Sequence, residues 1–359
     1  MTSGRENFAS SSVIGRENFA SSPVIRVAVI GAGAWGVNHV RVLANEPRCE
    51  LVAVADPDAS TKAVVAALAP HARHVPDAEH VFGDPRIDAV VIASPSPSHA
   101  ALTRAALAAD KHVLVEKPLA FTVEDATAIA ALAEVRNRVG MVGHLMVFHP
   151  AIVRLRELVR SGVLGKLHYL ASTRVNLGRI RRDENALWSF GPHDLSMIDF
   201  LLGLEPSSVA ARGQCVLQPG VEDVVFLTLR YATGEMAHIH LSWLSPRKER
   251  RLTLVGSQKM AEFDDVAVDK LRIYDKGYDR PPEFTEYAQY LTLRDGDVHI
   301  PQIAMQEPLK LQLRHFLDCI ATGRTPLTDL PSAVRVVRIL AAAQESLAHD
   351  GMPIRLIDG

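Results

Sequence analysis

Three glycines near the N-terminus have the spacing of a phosphate-binding turn. The run VIRVAVIGAGAWG places Gly31, Gly33 and Gly36 in the order G-x-G-x-x-G, directly after an apolar run and before a helical pattern. The first glycine permits a tight turn, the second lets a pyrophosphate approach the backbone, and the third lets helix pack on strand. The spacing predicts a dinucleotide site, with Ala34 and Trp35 also beside the cofactor.

An acidic residue closes the next apolar run. The stretch LVAVAD ends in Asp56, 25 residues after Gly31. A carboxylate at this place accepts hydrogen bonds from both hydroxyls of an adenosine ribose, and its charge repels a 2′-phosphate. We therefore predict NAD as the cofactor in preference to NADP. The alternative interpretation is a solvated turn aspartate before Pro57.

A lysine and a histidine stand where a reacting group could be held. The run HVLVEKP contains Lys117 at its end, and the carboxyl end of a parallel strand borders the crevice where open sheets bind ligands. His193 follows Gly191-Pro192, a pair that predicts the start of a helix facing this crevice. The alternatives are a solvated loop lysine and a structural histidine.

These residues are positioned by an alternation of short apolar runs and helical patterns, which predicts a parallel sheet covered by helices. The predicted strands are Val27–Ile30, Leu51–Ala55, Ala89–Ala93, His112–Glu116 and Gly140–His144. The predicted helices lie near Ala34–Ala44, Ala59–Ala69, Ser98–Ala109 and Thr122–Val135. Thr122 and Asp125 have the spacing of capping residues at the start of the last helix.

The pattern changes after an amphipathic helix at Pro150–Ser161, and strands then follow one another with few helices between them. They are predicted at Lys166–Val175, Val209–Val216, Asp223–Tyr231, Glu235–Ser245, Arg250–Gly256 and Leu271–Tyr274, before closing helices at Pro308–Thr322 and Pro331–His349. The fold class is α/β: an N-terminal Rossmann dinucleotide-binding domain (23–147) and a C-terminal α+β domain with an open, largely antiparallel sheet (148–359).

Length and composition limit the possible functions. A chain of 359 residues suits two domains, and a net charge of −2 with 22% charged residues excludes a strongly basic nucleic-acid binder. No run approaches the roughly 18 consecutive apolar residues of a membrane span. We expect a small-molecule partner, with no nucleic acid and no membrane.

Cysteines and histidines show no metal pattern. Cys49, Cys215 and Cys319 are far apart and fit neither a metal knuckle nor a disulfide framework, so a reducing cytoplasm is expected. His238 and His240 lack a third ligand, and no metal is predicted. At the N-terminus an 11-residue segment occurs twice in tandem, and residues 1–22 are predicted to be disordered.

From Val24 onward the chain resembles the Gfo/Idh/MocA oxidoreductases, for which an E-K-P triplet closing a strand is the most specific mark. The resemblance implies that Lys117 lies beside the nicotinamide and the reacting hydroxyl, and that the second domain forms a homodimer or homotetramer. It also implies that the cofactor side is lined by Ser94, Pro95, His99 and Glu116.

The second mark of the family is an acidic residue four positions before a histidine. In LWSFGPHDLSMI the histidine is His193, but Ser189 stands where the aspartate is usual. In the implied reaction NAD takes a hydride, His193 removes the hydroxyl proton and Lys117 stabilises the alkoxide. A helix N-terminus would keep His193 neutral. Ser189 leaves open whether His193 or Lys117 accepts the proton.

A narrower resemblance links the segment Arg174 to Asp194, with 296–301 and 307–309, to enzymes that oxidise the C3 hydroxyl of nucleotide-linked amino sugars. It implies a substrate site of Lys117, Arg174, Asn176, Arg179, Trp188 and His193, with Arg181 and Arg182 as further donors; the alternative for any single arginine is a charged solvent-facing loop. His144, at the exit of the fifth predicted strand, is a further candidate for this site, with a core or surface histidine as the alternative. The alternatives are a dehydrogenase of a cyclitol or a secondary-metabolite glycoside, a 3-keto sugar reductase, and a non-catalytic NAD-binding sugar sensor.

Overall fold

The computed structural model describes residues 24–178, 184–279 and 291–356. The duplicated N-terminal segment, predicted to be disordered over residues 1–22, lies outside the described residues. So do three of the predicted donors, Arg179, Arg181 and Arg182.

The first sheet has six strands, all paired in parallel. They are β1 (Ile25–Ile30), β2 (Cys49–Ala55), β3 (Arg73–Val75), β4 (Ala89–Ile92), β5 (His112–Val115) and β6 (Gly140–Val142). The connecting helices are α1 (Gly36–Ala44), α2 (Thr61–Leu68), α3 (Glu79–Phe82), α4 (His99–Ala108) and α5 (Val123–Val135). The order β3-β2-β1-β4-β5-β6 confirms the predicted Rossmann arrangement.

Burial explains why these strands form. The central strands read IRVAVI, AVVI and HVLV, and nearly every residue in them is buried because helices cover both faces of the sheet. Thr122 Oγ1 accepts a hydrogen bond from the Asp125 amide at 3.1 Å, which confirms the predicted start of α5. The strand β3 and the helix α3 were not predicted, since elements of three or four residues show no hydrophobic period.

The second sheet has nine strands in the order β14-β13-β12-β11-β7-β10-β9-β8-β15. They are β7 (Leu167–Leu177), β8 (Ser208–Gln214), β9 (Val224–Arg230), β10 (Met236–Ser242), β11 (Leu244–Gly256), β12 (Met260–Asp264), β13 (Leu271–Asp279), β14 (Thr292–His299) and β15 (Ile354–Arg355). All neighbours are antiparallel except β7 and β10, so the predicted largely antiparallel sheet is confirmed.

Four described α-helices follow the first sheet along the chain. They are α6 (Pro150–Arg160), α7 (Ala186–Leu202), α8 (Pro308–Thr322) and α9 (Leu330–Ala348). The helix α7 packs on β7, β10 and α9. The final helices return to the first domain, where the Val142 amide donates to the Thr328 carbonyl at 2.9 Å and Arg41 pairs with Glu307. The division at residue 147 therefore stays a prediction.

Candidate cofactor cleft and active site

A cleft of about 930 Å³ lies at the carboxyl ends of the first-domain strands. Ten of the eleven predicted cofactor residues line it: Gly31, Gly33, Ala34, Trp35, Asp56, Ser94, Pro95, His99, Glu116 and Lys117. Open α/β sheets bind ligands at this edge, and the volume is in the range of small-molecule sites. The eleventh residue, Gly36, does not line the cleft.

The different surroundings of the three glycines explain why Gly36 does not line the cleft. Gly31 has a φ of +94°, a conformation that residues with a side chain rarely adopt. A Cβ atom on Gly36 would lie 2.0 Å from the Gly31 carbonyl oxygen, so Gly36 serves packing alone. A Cβ atom on Gly33 would meet no heavy atom within 4 Å, because this residue faces the open cleft. The turn thus leaves room for the pyrophosphate of NAD at Gly33.

Asp56 is held rigidly at the end of β2. Its carboxylate accepts hydrogen bonds from the Ala32 amide at 2.6 Å and the Asp58 amide at 2.8 Å, and only 8% of the residue is exposed. These bonds tie the side chain to the glycine turn at the edge of the cleft. The solvated-turn alternative is therefore not what the structure shows.

Glu116 is a buried carboxylate that anchors Trp35. It accepts hydrogen bonds from the Trp35 indole nitrogen at 2.8 Å and from His39 Nε2 at 2.9 Å. Burial raises the pKa of Glu116, but these hydrogen bonds outweigh burial and leave the pKa below its ordinary value. The ionised carboxylate fixes the indole at the cleft, where Trp35 remains 42% exposed.

His99 connects two loops that border the cleft. Its Nδ1 lies 2.8 Å from the Pro118 carbonyl oxygen, and its Nε2 lies 2.9 Å from the Ser94 carbonyl oxygen. The ring is 1% exposed, so it acts within the wall of the cleft. It holds the loop after β4 against the residues that follow Lys117.

Lys117 crosses from the first domain to the helix α7. Its Nζ donates a hydrogen bond to the main-chain carbonyl of Ser189 at 3.0 Å. Pro192 lies within α7 and has no N–H to donate to the Trp188 carbonyl, one residue before this contact. Lys117 thus contacts the backbone carbonyl of residue 189, the position at which the family usually carries an acidic side chain.

The prediction that His193 lies at the start of a helix is wrong. The helix α7 begins at Ala186, capped by Asn185, whose Oδ1 accepts from the Trp188 amide at 3.1 Å. His193 is seven residues further along, because packing tolerates Pro192 inside this helix. The pKa of His193 nevertheless lies well below its ordinary value, owing to burial first and then to Lys117, Arg174, Arg250 and His144.

One ring nitrogen of His193, Nδ1, is buried and has no hydrogen-bond partner among the described residues. The nearby His144 is 3% exposed, and burial lowers its pKa to about 4, aided by Lys117 and opposed by Glu116. Both histidines are therefore neutral at neutral pH.

Arg174 forms a buried ion pair. Its Nε donates to Asp194 Oδ2 at 2.6 Å, and Ser172 Oγ donates to Asp194 Oδ1 at 2.7 Å. The side chains of Arg174 and Asp194 are 5% and 1% exposed. The pair joins β7 to α7 next to His193. Asn176 lies two residues further along β7, half-buried, and its role in substrate binding stays a prediction.

Trp188 lines a second depression, separate from the large cleft. Its ring packs on Phe121 with centroids 5.1 Å apart, and both residues line a depression of about 400 Å³ that also includes Glu184. Because Glu184 also lines the large cleft, the two spaces adjoin there. The expected contact of Trp188 with substrate stays a prediction.

Sequence reasoning missed several residues of the site. Pro76, Asp77 and Ala78 line the cleft after the short strand β3, and no pattern in the sequence indicated that strand. His39, three residues beyond Gly36 on α1, could have been found from helical spacing, since it shares the sheet-facing side of the helix. Arg250, whose charge acts on His193, is brought there by the pairing of β11 with β7, which a single sequence does not reveal.

In the part of the chain that the structure describes, no group of three His, Cys, Asp or Glu side chains is arranged to hold a metal ion. None of the described helices has the length and apolar content needed to cross a bilayer.

Comparison with known proteins gives two family matches. The model described as "Oxidoreductase family, NAD-binding Rossmann fold" matches residues 25–144, and the GFO/IDH/MocA C-terminal domain matches residues 152–262. These matches confirm the predicted resemblance and the prediction of NAD as cofactor. They also agree with the cleft geometry, since the first match contains all the residues that line the glycine turn.

The similar proteins include dehydrogenases with different substrates. Inositol 2-dehydrogenase 2 of Paenarthrobacter aurescens is 35% identical over 228 residues, which cover 60% of this chain and 68% of that enzyme. UDP-N-acetylglucosamine 3-dehydrogenase of Acidithiobacillus ferrooxidans is 29% identical and covers 89% of this chain and 95% of its own. A solved structure of the latter has a TM-score of 0.77 at 25% identity, covering 90% and 98%.

Proposed function

Because the chain belongs to the Gfo/Idh/MocA oxidoreductase family, we propose that it is an NAD-dependent dehydrogenase that oxidises the C3 hydroxyl of a nucleotide-linked or amino sugar. The similarity to UDP-N-acetylglucosamine 3-dehydrogenase over most of both chains supports this substrate class. The product would be the corresponding 3-keto sugar.

One contact carries the proposal. Lys117, at the nicotinamide end of the cleft, reaches the Ser189 carbonyl at 3.0 Å, and four residues later the same helix carries His193. A cation that lines the cleft thereby contacts α7 about one helical turn before a neutral imidazole. This is the pair that removal of a proton and stabilisation of an alkoxide require.

The chain's own residues divide the chemistry between them. Bound NAD supplies the acceptor for the hydride that leaves the substrate carbon. The neutral His193 ring takes the hydroxyl proton, because burial and the surrounding cations keep a nitrogen lone pair available. The Lys117 ammonium stabilises the negative charge that develops on the oxygen. Trp35 and His99 position the cofactor side of the cleft.

The alternatives differ from this proposal in the substrate, in the direction of the reaction or in the absence of catalysis. A relative named inositol 2-dehydrogenase is 35% identical, which supports a cyclitol as the second candidate substrate. Reduction of a 3-keto sugar uses the same residues in the opposite direction. A non-catalytic sensor is disfavoured, because such a protein has no need of Lys117 beside a neutral His193.

The test is a panel of oxidations followed by NADH absorbance. UDP-N-acetylglucosamine, its uronate, myo-inositol and scyllo-inositol are each supplied with NAD or NADP. We expect the highest kcat/KM with a nucleotide sugar and NAD. Faster turnover of inositol than of either nucleotide sugar would replace the proposal with the cyclitol alternative, and no turnover of any ring would support the sensor.

A further inference from the structure

Two arginines face each other across neighbouring strands of the second sheet. Arg250 on β11 pairs directly with Arg174 on β7 in an antiparallel register. Directly opposed residues of such a pair project from the same side of the sheet, with Cβ atoms about 5 Å apart. Since Arg174 bonds to Asp194 of α7, Arg250 also projects toward the side of the sheet that α7 covers.

Each arginine has a carboxylate partner, which offsets the repulsion between like charges at this register. The two differ in exposure. The Arg174 side chain is 5% exposed, whereas the Arg250 side chain is 40% exposed and bonds to Asp265 Oδ2 through Nη1 at 3.1 Å. Among the described residues, Nε and Nη2 of Arg250 have no hydrogen-bond partner, so they are available to a ligand.

The charges around His193 show where this ligand would lie. Lys117, Arg174 and Arg250 all act on His193, and each opposes its protonation. No carboxylate is among the principal charges that act on this ring. Because Arg174 and Arg250 each also pair with a carboxylate, an anion would be bound through the unpartnered Nε and Nη2 of Arg250 and not through a net charge of this region.

We propose that Arg250 binds an anionic group of the substrate, a carboxylate or phosphate oxygen, and thereby selects charged sugars over neutral rings. The inference rests on the proposed function, which it deepens by naming the chemical class of the substrate. A guanidinium suits this task because two of its N–H groups can donate in parallel to one carboxylate or phosphate.

The experiment compares Arg250→Gln with a matched control, Arg251→Gln. Arg251 is the next residue of the same strand, is 44% exposed and projects from the opposite side of the sheet. Calorimetry measures the Kd of free glucuronate, uridine diphosphate and myo-inositol on the NAD-saturated protein. Glucuronate carries only a carboxylate and uridine diphosphate only phosphates, so the two sources of the anion are separated.

We expect Arg250→Gln to weaken binding of one anion by about 10- to 100-fold, the loss expected for charge-assisted hydrogen bonds. Inositol binding should not change, and Arg251→Gln should bind all three ligands like the parent. Arg250→Lys keeps the charge but not the two parallel N–H donors of the guanidinium, so it should show an intermediate loss of anion binding. This variant tests the proposal if Arg250→Gln does not fold. Unchanged anion binding in these variants, or no anion binding by the parent, would overturn the proposal.

A second readout is the pH dependence of kcat/KM with a substrate from the oxidation panel. Removing the Arg250 charge raises the pKa of His193, so the acid limb should move to higher pH in Arg250→Gln but not in Arg251→Gln. Because the binding measurement needs no turnover, a failure of the proposed function and a failure of the Arg250 assignment give different results.

Discussion

Lys117 contributes to the site both as a donor and as a charge near His193. Replacing it by Met should lower kcat by about 100-fold or more, since a preorganised charge is removed from a developing oxyanion. The same change removes a cation that lowers the pKa of His193, so this pKa should rise. The acid limb of the pH profile should therefore move to higher pH. Steady-state rates across pH measure both effects.

His193→Ala is the companion variant for this measurement. It should lose the acid limb altogether, at a cost in kcat of about 100- to 10,000-fold. NAD binding and the melting temperature should stay near the parent values in Lys117→Met, because the lysine makes its contact at the edge of the cleft. A Lys117→Met enzyme with normal kcat would exclude the catalytic role.

Asp56 offers a test of cofactor choice. Because its carboxylate also accepts from the Ala32 and Asp58 amides, Asp56→Ala would loosen the glycine turn as well as remove the charge. Asp56→Asn keeps one acceptor oxygen, so it removes the charge and at most one of the two backbone hydrogen bonds. We expect Asp56→Asn to weaken NAD binding and to narrow the preference for NAD over NADP. The ratio of kcat/KM for the two cofactors is the measurement, and a parent enzyme without preference would contradict it.

At the residue scale, the sequence predicted what depends on local chain geometry. Gly31, Asp56 and Lys117 each follow a strand whose position is legible from apolar runs, and all three line the cleft. His193 was assigned to the wrong place in its helix, and its role in the site stays a prediction. The pair Gly191-Pro192 looks like a helix start, yet Asn185 caps the helix earlier and packing of α7 against α9 holds the proline inside it.

At the scale of elements, the ion pair of Arg174 and Asp194 holds α7 on β7. Both side chains are nearly inaccessible, and removing one partner of a buried pair leaves an uncompensated charge. Asp194→Ala should therefore lower the free energy of unfolding by about 3–5 kcal/mol. Urea denaturation measures the change.

A double variant separates the pair from its surroundings. Arg174→Met with Asp194→Leu removes both charges and replaces them with apolar groups. This double variant should be more stable than Asp194→Ala, because no buried charge remains alone. If Asp194→Ala unfolds at the same urea concentration as the parent, the pair does not hold the helix. Arg174 would then be free to serve substrate binding alone.

The strands of the second sheet were predicted less completely than those of the first. A parallel sheet buried on both faces produces continuous apolar runs, whereas β14 is exposed along most of its length and carries no such signal. Strand pairing is also absent from a single sequence. The register that places Arg250 opposite Arg174 could therefore not be predicted.

At the scale of the whole molecule, ion pairs join the two domains. Glu46 is buried between Arg48 and Arg314, and Arg48 also pairs with Asp318 of α8. These contacts, with the bond between Val142 and Thr328, fix the first domain on the final helices. The first domain and the final helices are thus held together by several bonds although they are far apart in sequence.

The outer face of the second sheet carries a group of exposed apolar side chains. Tyr169, Phe226 and Met236 are 42%, 44% and 38% exposed, and strand pairing places them on one side of β7, β9 and β10. The Phe226 ring stacks on His240 with centroids 4.4 Å apart. Such a surface is typical of an interface between subunits. We propose that this face joins two copies of the chain in a homodimer or homotetramer.

Phe226→Glu tests the proposed assembly, because a charge at the centre of an apolar interface has no partner there and costs desolvation energy. We expect the parent to elute as a dimer or tetramer in size-exclusion chromatography with light scattering, and Phe226→Glu to elute as a smaller species. Val135→Glu is the matched control, since Val135 is 80% exposed on α5 of the first domain. A parent that is monomeric, or a Phe226→Glu variant of unchanged mass, would show that this face is not the interface.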